Sequence, residues 1–239
     1  MESQKPKIAM YVKRPFGEKL NASFDFLKEN WKLLLRFTTY LLLPLCLIQA
    51  LSLNGLMSGA LSISAIASST AMAASSSSLI AFGSYYGLYM FLYLIGIILL
   101  TSLVYGLIRT YNEREERLQG VTLGMLKPRL FRNIKRLLLM TGACILLVLF
   151  VGIFVGLLVA LTPFTLFLTI PFIIAFSVPL ALLAPIYLFE DITLMEAFKK
   201  TFRLGFATWG GVFLVSLLMG IIANVLQGVT MMPWYIATV

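Results

Sequence analysis

Formal charge in this chain of 239 residues is confined to three short blocks, and the sequence between and after them carries none. The blocks, named one to three in chain order, are Glu2–Arg36, Arg109–Arg136 and Glu190–Arg203. The uncharged stretches are Tyr40–Leu107, Leu137–Phe189 and Leu204–Val239. A helix of about 20 apolar residues is long enough to cross the ~30 Å hydrocarbon core of a bilayer. The charge pattern therefore predicts membrane-spanning hairpins that are joined at ionic segments.

The composition favours lipid as the solvent of this chain. Hydrophobic residues make up 60% of the sequence and charged residues 12%, about half of the charged fraction that is usual in soluble domains. The net charge of +9 could indicate a nucleic-acid partner. We expect no nucleic acid, because the cations lie in clusters beside apolar spans, where membrane topology places them.

The uncharged stretches and their flanks divide into five predicted membrane helices, spans one to five. They cover Leu33–Leu53, Leu79–Ile108, Leu137–Leu161, Phe164–Phe189 and Phe206–Gln227. Because Lys and Arg mark the cytoplasmic side of a span, all three blocks should face the cytosol, with an even number of crossings between successive blocks. We expect an all-α polytopic membrane helical bundle, a single domain over residues 1–239, in a bacterial inner membrane with a cytoplasmic N-terminus.

Block two ends in an amphipathic segment, Leu123–Arg136, whose apolar residues recur at three- and four-residue spacing with cations between them. The apolar positions are Leu123, Leu126, Leu130, Ile134 and Leu137. The cations are Lys127, Arg129, Arg132, Lys135 and Arg136. We predict a helix that begins near Lys127, with Pro128 in its first turn. Such a helix lies on the membrane surface with its cations towards anionic headgroups.

Blocks one and three repeat this design of a surface helix that leads into a span. In block one the predicted apolar stripe consists of Leu20, Phe24, Leu27, Trp31 and Leu34. In block three the residues Thr193 to Glu196 form a capping-box pattern, and the apolar face consists of Leu194, Phe198 and Phe202. The cations opposite are Lys199, Lys200 and Arg203. Together with the cations of block two, they form the predicted surface for anionic membrane lipids and for a partner protein or a second copy.

A surface helix, an outward span and a return span follow one another twice. A third surface helix and a third outward span come next, without a return span. The segments of the single domain are 1–32, 33–108, 109–136, 137–189, 190–205 and 206–239. By this pattern we expect a sixth helix to follow Val239. The uncharged Ser- and Ala-rich segment Asn54–Ser78 is predicted to be an external loop that is floppy or loosely helical, and the alternative is a specific binding loop.

Spans two and four each carry a feature with two interpretations. Three tyrosines stand four residues apart in span two: Tyr85, Tyr89 and Tyr93. Three prolines interrupt span four: Pro171, Pro179 and Pro185. The tyrosines fit an aromatic interface belt, or a groove for a lipid headgroup or small polar ligand. The prolines fit plain kinks or a broken helix at a substrate site, and either way a neighbouring helix or water must supply donors to the freed carbonyls.

The repeated arrangement of surface helix, span and return span resembles two groups of bacterial membrane proteins along the whole chain. These are the YciC-like inner-membrane proteins and the membrane domain attached to some glycerophosphodiester phosphodiesterases. The segment Arg14–Trp31, RPFGEKLNASFDFLKENW, is also similar to the opening of uncharacterised membrane proteins from Bacteroidetes-type bacteria. The resemblance implies a multi-pass fold. It implies no phosphodiesterase chemistry, because the chain has no such catalytic domain and contains no His.

These observations favour a non-enzymatic scaffold or accessory subunit that binds anionic lipid and a partner protein at the cytoplasmic face. The alternative is a transporter or lipid-handling protein for a neutral or lipid-like substrate, with its site between spans two and four. Ion-coupled transport usually needs ionisable residues in the membrane, and the uncharged stretches have none. An enzyme is not expected, because the membrane hydroxyls lack a general base. Neither a cofactor nor a metal is expected.

Overall fold

The computed structural model describes residues 7–9, 12–67, 75–162 and 164–238, with side chains outside 61–67, 75–78, 233–235 and 237–238. Every regular element in this described part is an α-helix, and none is a strand. The helices are α1 (Phe16–Ala67), α2 (Ser75–Glu113), α3 (Leu123–Leu161), α4 (Thr165–Leu180), α5 (Leu183–Phe189), α6 (Leu194–Ala207) and α7 (Trp209–Thr238). The predicted all-α class is confirmed.

Five helical stretches in the described residues are long and apolar enough to cross a membrane. They are Phe16–Ala60, Leu79–Glu113, Leu123–Leu161, Thr165–Phe189 and Trp209–Met232. Each overlaps one of the five predicted spans, so the pattern of uncharged sequence located them correctly. Length and composition thus indicate a multi-pass membrane protein.

In blocks one and two, the predicted surface helices are not separate from the spans that follow them. α1 continues without a break for 52 residues and α3 for 39. The predicted start of α3 near Lys127 is wrong, because the helix begins at Leu123 and Pro128 lies inside it. Block three does form a separate helix, α6, which ends before α7 begins at Trp209.

The Ser- and Ala-rich segment after span one is helical over most of its length. α1 continues to Ala67 and α2 begins at Ser75, while residues 68–74 lie outside the described residues. Where the backbone is described, the loosely helical alternative holds and the floppy loop does not. Ala is the best helix former and Pro is absent from this segment.

The chain divides into two compact units. Unit 1 comprises Met1–Val12 and Ala22–Leu137, and unit 2 comprises Lys13–Asn21 and Leu138–Val239. The core of unit 1 consists of Phe26, Phe37, Leu103, Leu107, Tyr111, Leu118, Val121 and Leu126. Gly96 of α2 faces α1, where a Cβ on it would lie 3.1 Å from the side chain of Leu45.

Unit 2 has its own apolar core where α5 and α6 meet. Leu183, Tyr187 and Ala197 are buried there, and Met140 and Cys144 of α3 pack against them. Met140 lies near the start of predicted span three, and Tyr187 lies near the end of predicted span four. Their shared cluster brings α3 and α5 together, which agrees with the out-and-back path that the charge pattern predicts.

Span four is broken in two, as its prolines predicted. α4 ends at Leu180 and α5 begins at Leu183. Pro179 has no N–H, so the carbonyl of Ala175 loses its ordinary helical donor. The indole N–H of Trp209 on α7 donates to this carbonyl at 3.0 Å. The prediction that a neighbouring helix supplies a donor to a freed carbonyl is confirmed here.

Pro179 is also the point of closest approach between α4 and α6. A Cβ on Gly205 of α6 would lie 2.5 Å from the Cβ of Pro179 and 2.6 Å from its Cα. Both residues are buried. Only glycine permits this approach of two backbones. The backbone of α6 therefore lies directly against Pro179 and encloses it. This enclosure favours a structural kink over a substrate site.

Candidate functional site

Blocks one and two meet through an ion pair in unit 1. Arg117, in the loop after α2, donates from Nη1 to Oε1 of Glu29 on α1 at 2.7 Å. The buried phenol of Tyr111 donates to Oε2 of the same carboxylate at 3.3 Å. The hydrogen bond to Glu29 raises the pKa of Arg117, so the pair is stable in its charged form. The two blocks therefore lie at the same end of the α1–α2 hairpin, as predicted.

The N-terminal segment docks on the same junction. Lys7 donates from Nζ to the carbonyls of Asn112 and Arg114, at 2.8 and 3.2 Å. The backbone N–H of Ile8 donates to the hydroxyl of Tyr111 at 3.3 Å. These bonds satisfy carbonyls at the end of α2, which have no helical partner of their own. At least one cation of block one is thus used for structure.

Arg129 was predicted to face anionic lipid, but it is bound within unit 1. Its Nη2 pairs with Glu113 at the end of α2, and its Nη1 donates to the hydroxyl of Thr110 at 3.1 Å. Glu113 also pairs with Arg109, one turn earlier, at 3.0 Å. One carboxylate thus contacts two guanidinium groups. These contacts disfavour Arg129 as a lipid ligand.

The apolar face of the first part of α3 is covered by protein. Leu126 and Leu137 are 3% and 2% exposed. On the same side of the helix, Asn133 donates from Nδ2 to the carbonyl of Ser102 at 3.3 Å. The hydroxyl of Ser102 donates in return to the carbonyl of Leu130 at 2.9 Å. This corrects the prediction that the apolar face lies on the membrane: α2 covers it instead.

Two cations of block two remain available to an anion outside the protein. Lys127 and Lys135 are exposed on α3 and make no ion pair with any described residue. Arg132 is also exposed, whereas Arg136 is half-buried. Of the five predicted cations, Lys127 and Lys135 therefore fit the predicted lipid or partner surface best.

Block three contains the predicted capping box. The hydroxyl of Thr193 accepts from the N–H of Glu196 at 3.4 Å, and the Glu196 carboxylate accepts from the N–H of Thr193 at 3.0 Å. The hydrogen bonds from Thr193 lower the pKa of Glu196. The buried stripe of α6 consists of small residues beside the predicted apolar face: Ala197, Thr201 and Gly205.

The cations of α6 divide into one that is paired and two that are not. Lys200 donates from Nζ to Glu190 at 2.6 Å. Lys199 and Arg203 are exposed and make no ion pair with any described residue. α6 therefore presents two cations, four residues apart, on its outer surface.

Five acidic side chains of the three blocks have internal partners. Four form ion pairs, and the fifth caps α6: Glu29, Glu113, Glu116, Glu190 and Glu196. Four of these carboxylates are therefore held by other groups, and Glu196 also attracts the neighbouring Lys199 of α6. The result is a local excess of positive charge at these surfaces.

A groove on α1 also presents cations, and the sequence analysis did not identify it. It is open and shallow, it runs along one face of the helix, and it is lined by Trp31, Lys32, Leu35, Arg36, Thr39, Tyr40, Leu43 and Pro44. The predicted apolar stripe of block one is largely exposed, since Phe24, Leu27 and Trp31 expose about half of their surface. The buried face of the helix is instead formed by Phe26, Asn30 and Phe37. The four-residue spacing of Lys32 and Arg36 was the signal available in the sequence.

The tyrosines of span two pack on one another and on α1. The rings of Tyr89 and Tyr93 are stacked, with their centroids 6.5 Å apart. The ring of Tyr85 lies against Gly55, where a Cβ would come within 2.6 Å of it. The tyrosines belong to unit 1 and the prolines of span four to unit 2. A ligand between spans two and four stays a prediction.

The fold and these surfaces define the class as an all-α, multi-pass membrane protein with cationic surfaces beside its spans. The chain matches no protein-family model, no curated protein and no solved structure. Its resemblance to YciC-like proteins therefore stays a prediction.

Proposed function

We propose that this chain is a non-enzymatic scaffold or accessory subunit of a bacterial inner membrane, with its N-terminus and its three charged blocks in the cytosol. Its exposed cations bind anionic lipid headgroups and an acidic partner protein at that face. The proposal extends the resemblance to YciC-like inner-membrane proteins, which rests on the repeated architecture alone.

The observation that carries this proposal is the unequal pairing of charge. Five of the ten acidic residues have the internal partners described above, whereas Lys127, Lys135, Lys199 and Arg203 make no ion pair with a described residue. A Lys or Arg beside an anionic membrane surface contributes about 1 kcal/mol of attraction. Cations that already hold a carboxylate contribute less to binding another anion. The unpaired set is therefore the part of the surface suited to lipid and partner binding.

The transporter alternative gains no support from the break in span four at Pro179. Pro179 is enclosed by Gly205, and the carbonyl that it frees accepts from Trp209. A substrate site built on a broken helix needs its polar backbone groups to face a cavity. The break in span four instead has its partners within unit 2.

Purification of the full chain in mild detergent, followed by mass spectrometry of co-purified lipids and proteins, tests the proposal. We expect the wild type to retain phosphatidylglycerol over phosphatidylcholine and to hold a partner in fixed stoichiometry. Replacement of Lys127 and Lys135 by Gln should lower the retained phosphatidylglycerol severalfold, because each cation contributes roughly a factor of five. The partner should be lost in the same variant.

A matched pair of single variants on α6 provides the control. Lys199→Gln and Lys200→Gln remove the same charge from adjacent positions, but Lys200 forms an ion pair with Glu190, whereas Lys199 has only a longer-range attraction to Glu196. We expect Lys199→Gln to reduce lipid and partner retention more than Lys200→Gln. Unchanged retention in the Lys127 and Lys135 double variant would contradict the proposal.

A further inference from the structure

The groove on α1 has a chemical gradient along its length. Its lining residues occur as adjacent pairs at four-residue intervals, so they form two parallel rows on one side of the helix. Charged side chains, Lys32 and Arg36, lie at one end. The apolar side chains of Leu43 and Pro44 lie at the other. At 1.5 Å per residue, the distance along the helix from Lys32 to Pro44 is roughly 18 Å.

The middle of the groove has the chemistry of a membrane interface. Thr39 and Tyr40 line it between the charged and apolar ends, and Tyr40 is 74% exposed. Tyrosine and tryptophan favour the headgroup level of a bilayer, where a ring can be apolar at one end and polar at the other. Because Pro44 has no N–H, the carbonyl of Tyr40 also loses its ordinary helical donor.

The two cations of the groove have no acidic partner. Lys32 and Arg36 are exposed and make no ion pair with a described residue. The Nζ of Lys32 lies 5.8 Å from the ring centroid of Trp31, which holds the ammonium group beside the groove. Arg36 is the last charged residue before the uncharged stretch Tyr40–Leu107. The cations therefore lie at the depth where headgroup phosphates would meet the protein.

We propose that this groove binds one membrane phospholipid with a net negative headgroup. The phosphate contacts Lys32 and Arg36, the glycerol and ester region lies at Thr39 and Tyr40, and an acyl chain follows Leu43 and Pro44. The complementarity of Lys32 and Arg36 to a phosphate, together with the apolar side chains further along the helix, selects this occupant. The site rests on the proposed function only in placing block one at an anionic membrane face.

Native mass spectrometry of the full chain, released from nanodiscs of equimolar phosphatidylglycerol and phosphatidylcholine, tests this site. We expect one phosphatidylglycerol to remain bound to the wild type after the other lipids dissociate. Replacement of Lys32 and Arg36 by Gln should reduce its occupancy roughly 30-fold, from about a factor of five for each cation. Leu43→Trp, which fills the apolar end and changes no charge, should reduce it as well.

Separate variants distinguish this site from the proposed function. The Lys127 and Lys135 double variant removes the same amount of charge from α3. It should leave the lipid in the α1 groove bound, even if it abolishes the general preference for anionic lipid and the binding of the partner protein. Equal retention in the wild type and in the Lys32 and Arg36 double variant would overturn the site. Equal retention of phosphatidylcholine in the wild type, or full retention in Leu43→Trp, would do the same. Helix content by circular dichroism confirms that each variant is folded.

Discussion

The indole of Trp209 replaces a backbone hydrogen bond that Pro179 cannot make. Water is scarce in the hydrocarbon core of a bilayer, so a freed carbonyl that finds no donor costs several kcal/mol. The ring of Trp209 also stacks on Phe213, with centroids 5.0 Å apart and planes at 7°. Phenylalanine could make that stacking contact but could not donate to Ala175. The hydrogen bond is therefore the property that distinguishes Trp at this position.

We predict that Trp209→Phe lowers the free energy of unfolding of the full chain by about 0.6–2 kcal/mol, the range for a hydrogen bond between helices. Unfolding in mixed micelles, followed by circular dichroism, measures this. In a Pro179→Ala background the cost should shrink, because alanine restores the N–H that serves the Ala175 carbonyl. The same cost in both backgrounds would show that the hydrogen bond is not the cause.

The sequence predicts the acceptor of this hydrogen bond but not its donor. The position of Pro179 in an apolar stretch shows that the carbonyl of Ala175 needs a donor. The identity of the donor depends on how α7 packs beside α4, and Trp209 is 34 residues later in the chain. No local pattern contains that information. The capping box at Thr193 was predictable because both of its partners lie within one turn.

At the scale of helices, the spacing of apolar residues identified which helix faces are apolar. It did not show which element packs against each face. The stripe of α3 that includes Leu126 and Leu137 was correctly predicted as apolar, yet α2 covers it in place of lipid. On α1 the buried face includes Phe26 and Phe37, which the predicted stripe omitted. A helix with apolar residues on two sides offers two stripes, and only the packing decides which one is buried.

The contact between α4 and α6 depends on the absence of a side chain at Gly205. We predict that Gly205→Ala destabilises the full chain by about 1–3 kcal/mol, because the new Cβ meets the Cα of Pro179 and no rotamer change relieves a clash with backbone. Gly211→Ala on α7 is the matched control, since its Cβ would meet nothing within 4 Å. We expect that variant to be neutral or slightly stabilising.

The same unfolding measurement in mixed micelles compares the two glycine variants. A loss of stability confined to Gly205→Ala would support the close approach of α4 and α6. Equal behaviour of Gly205→Ala and Gly211→Ala would contradict it, since general helix propensity would then account for both.

At the scale of the whole molecule, the distribution of charge predicts the path of the chain across the membrane. Glu29 of block one contacts Arg117 of block two, so the two blocks lie at the same end of the α1–α2 hairpin. In unit 2, Met140 and Ala197 share one cluster. Both contacts agree with the out-and-back path that the charge pattern predicts.

We predict that a membrane-impermeant thiol reagent labels Ser76→Cys in intact cells but labels Lys127→Cys and Met195→Cys only after permeabilisation. The background chain carries alanine at Cys46 and Cys144, the two natural cysteines. The reason is that Lys and Arg near span ends remain in the cytosol. Labelling of Ser76→Cys and Lys127→Cys from the same side would contradict the predicted topology.

The bond between Trp209 and Ala175 also constrains the order in which the protein matures. The ribosome synthesises span four before it synthesises Trp209. The carbonyl of Ala175 therefore lacks this hydrogen-bond donor while the chain is still growing. Until α7 arrives, the insertion machinery or a water molecule must serve that oxygen. The hydrogen bond between α4 and α7 can therefore form only after α7 has been synthesised.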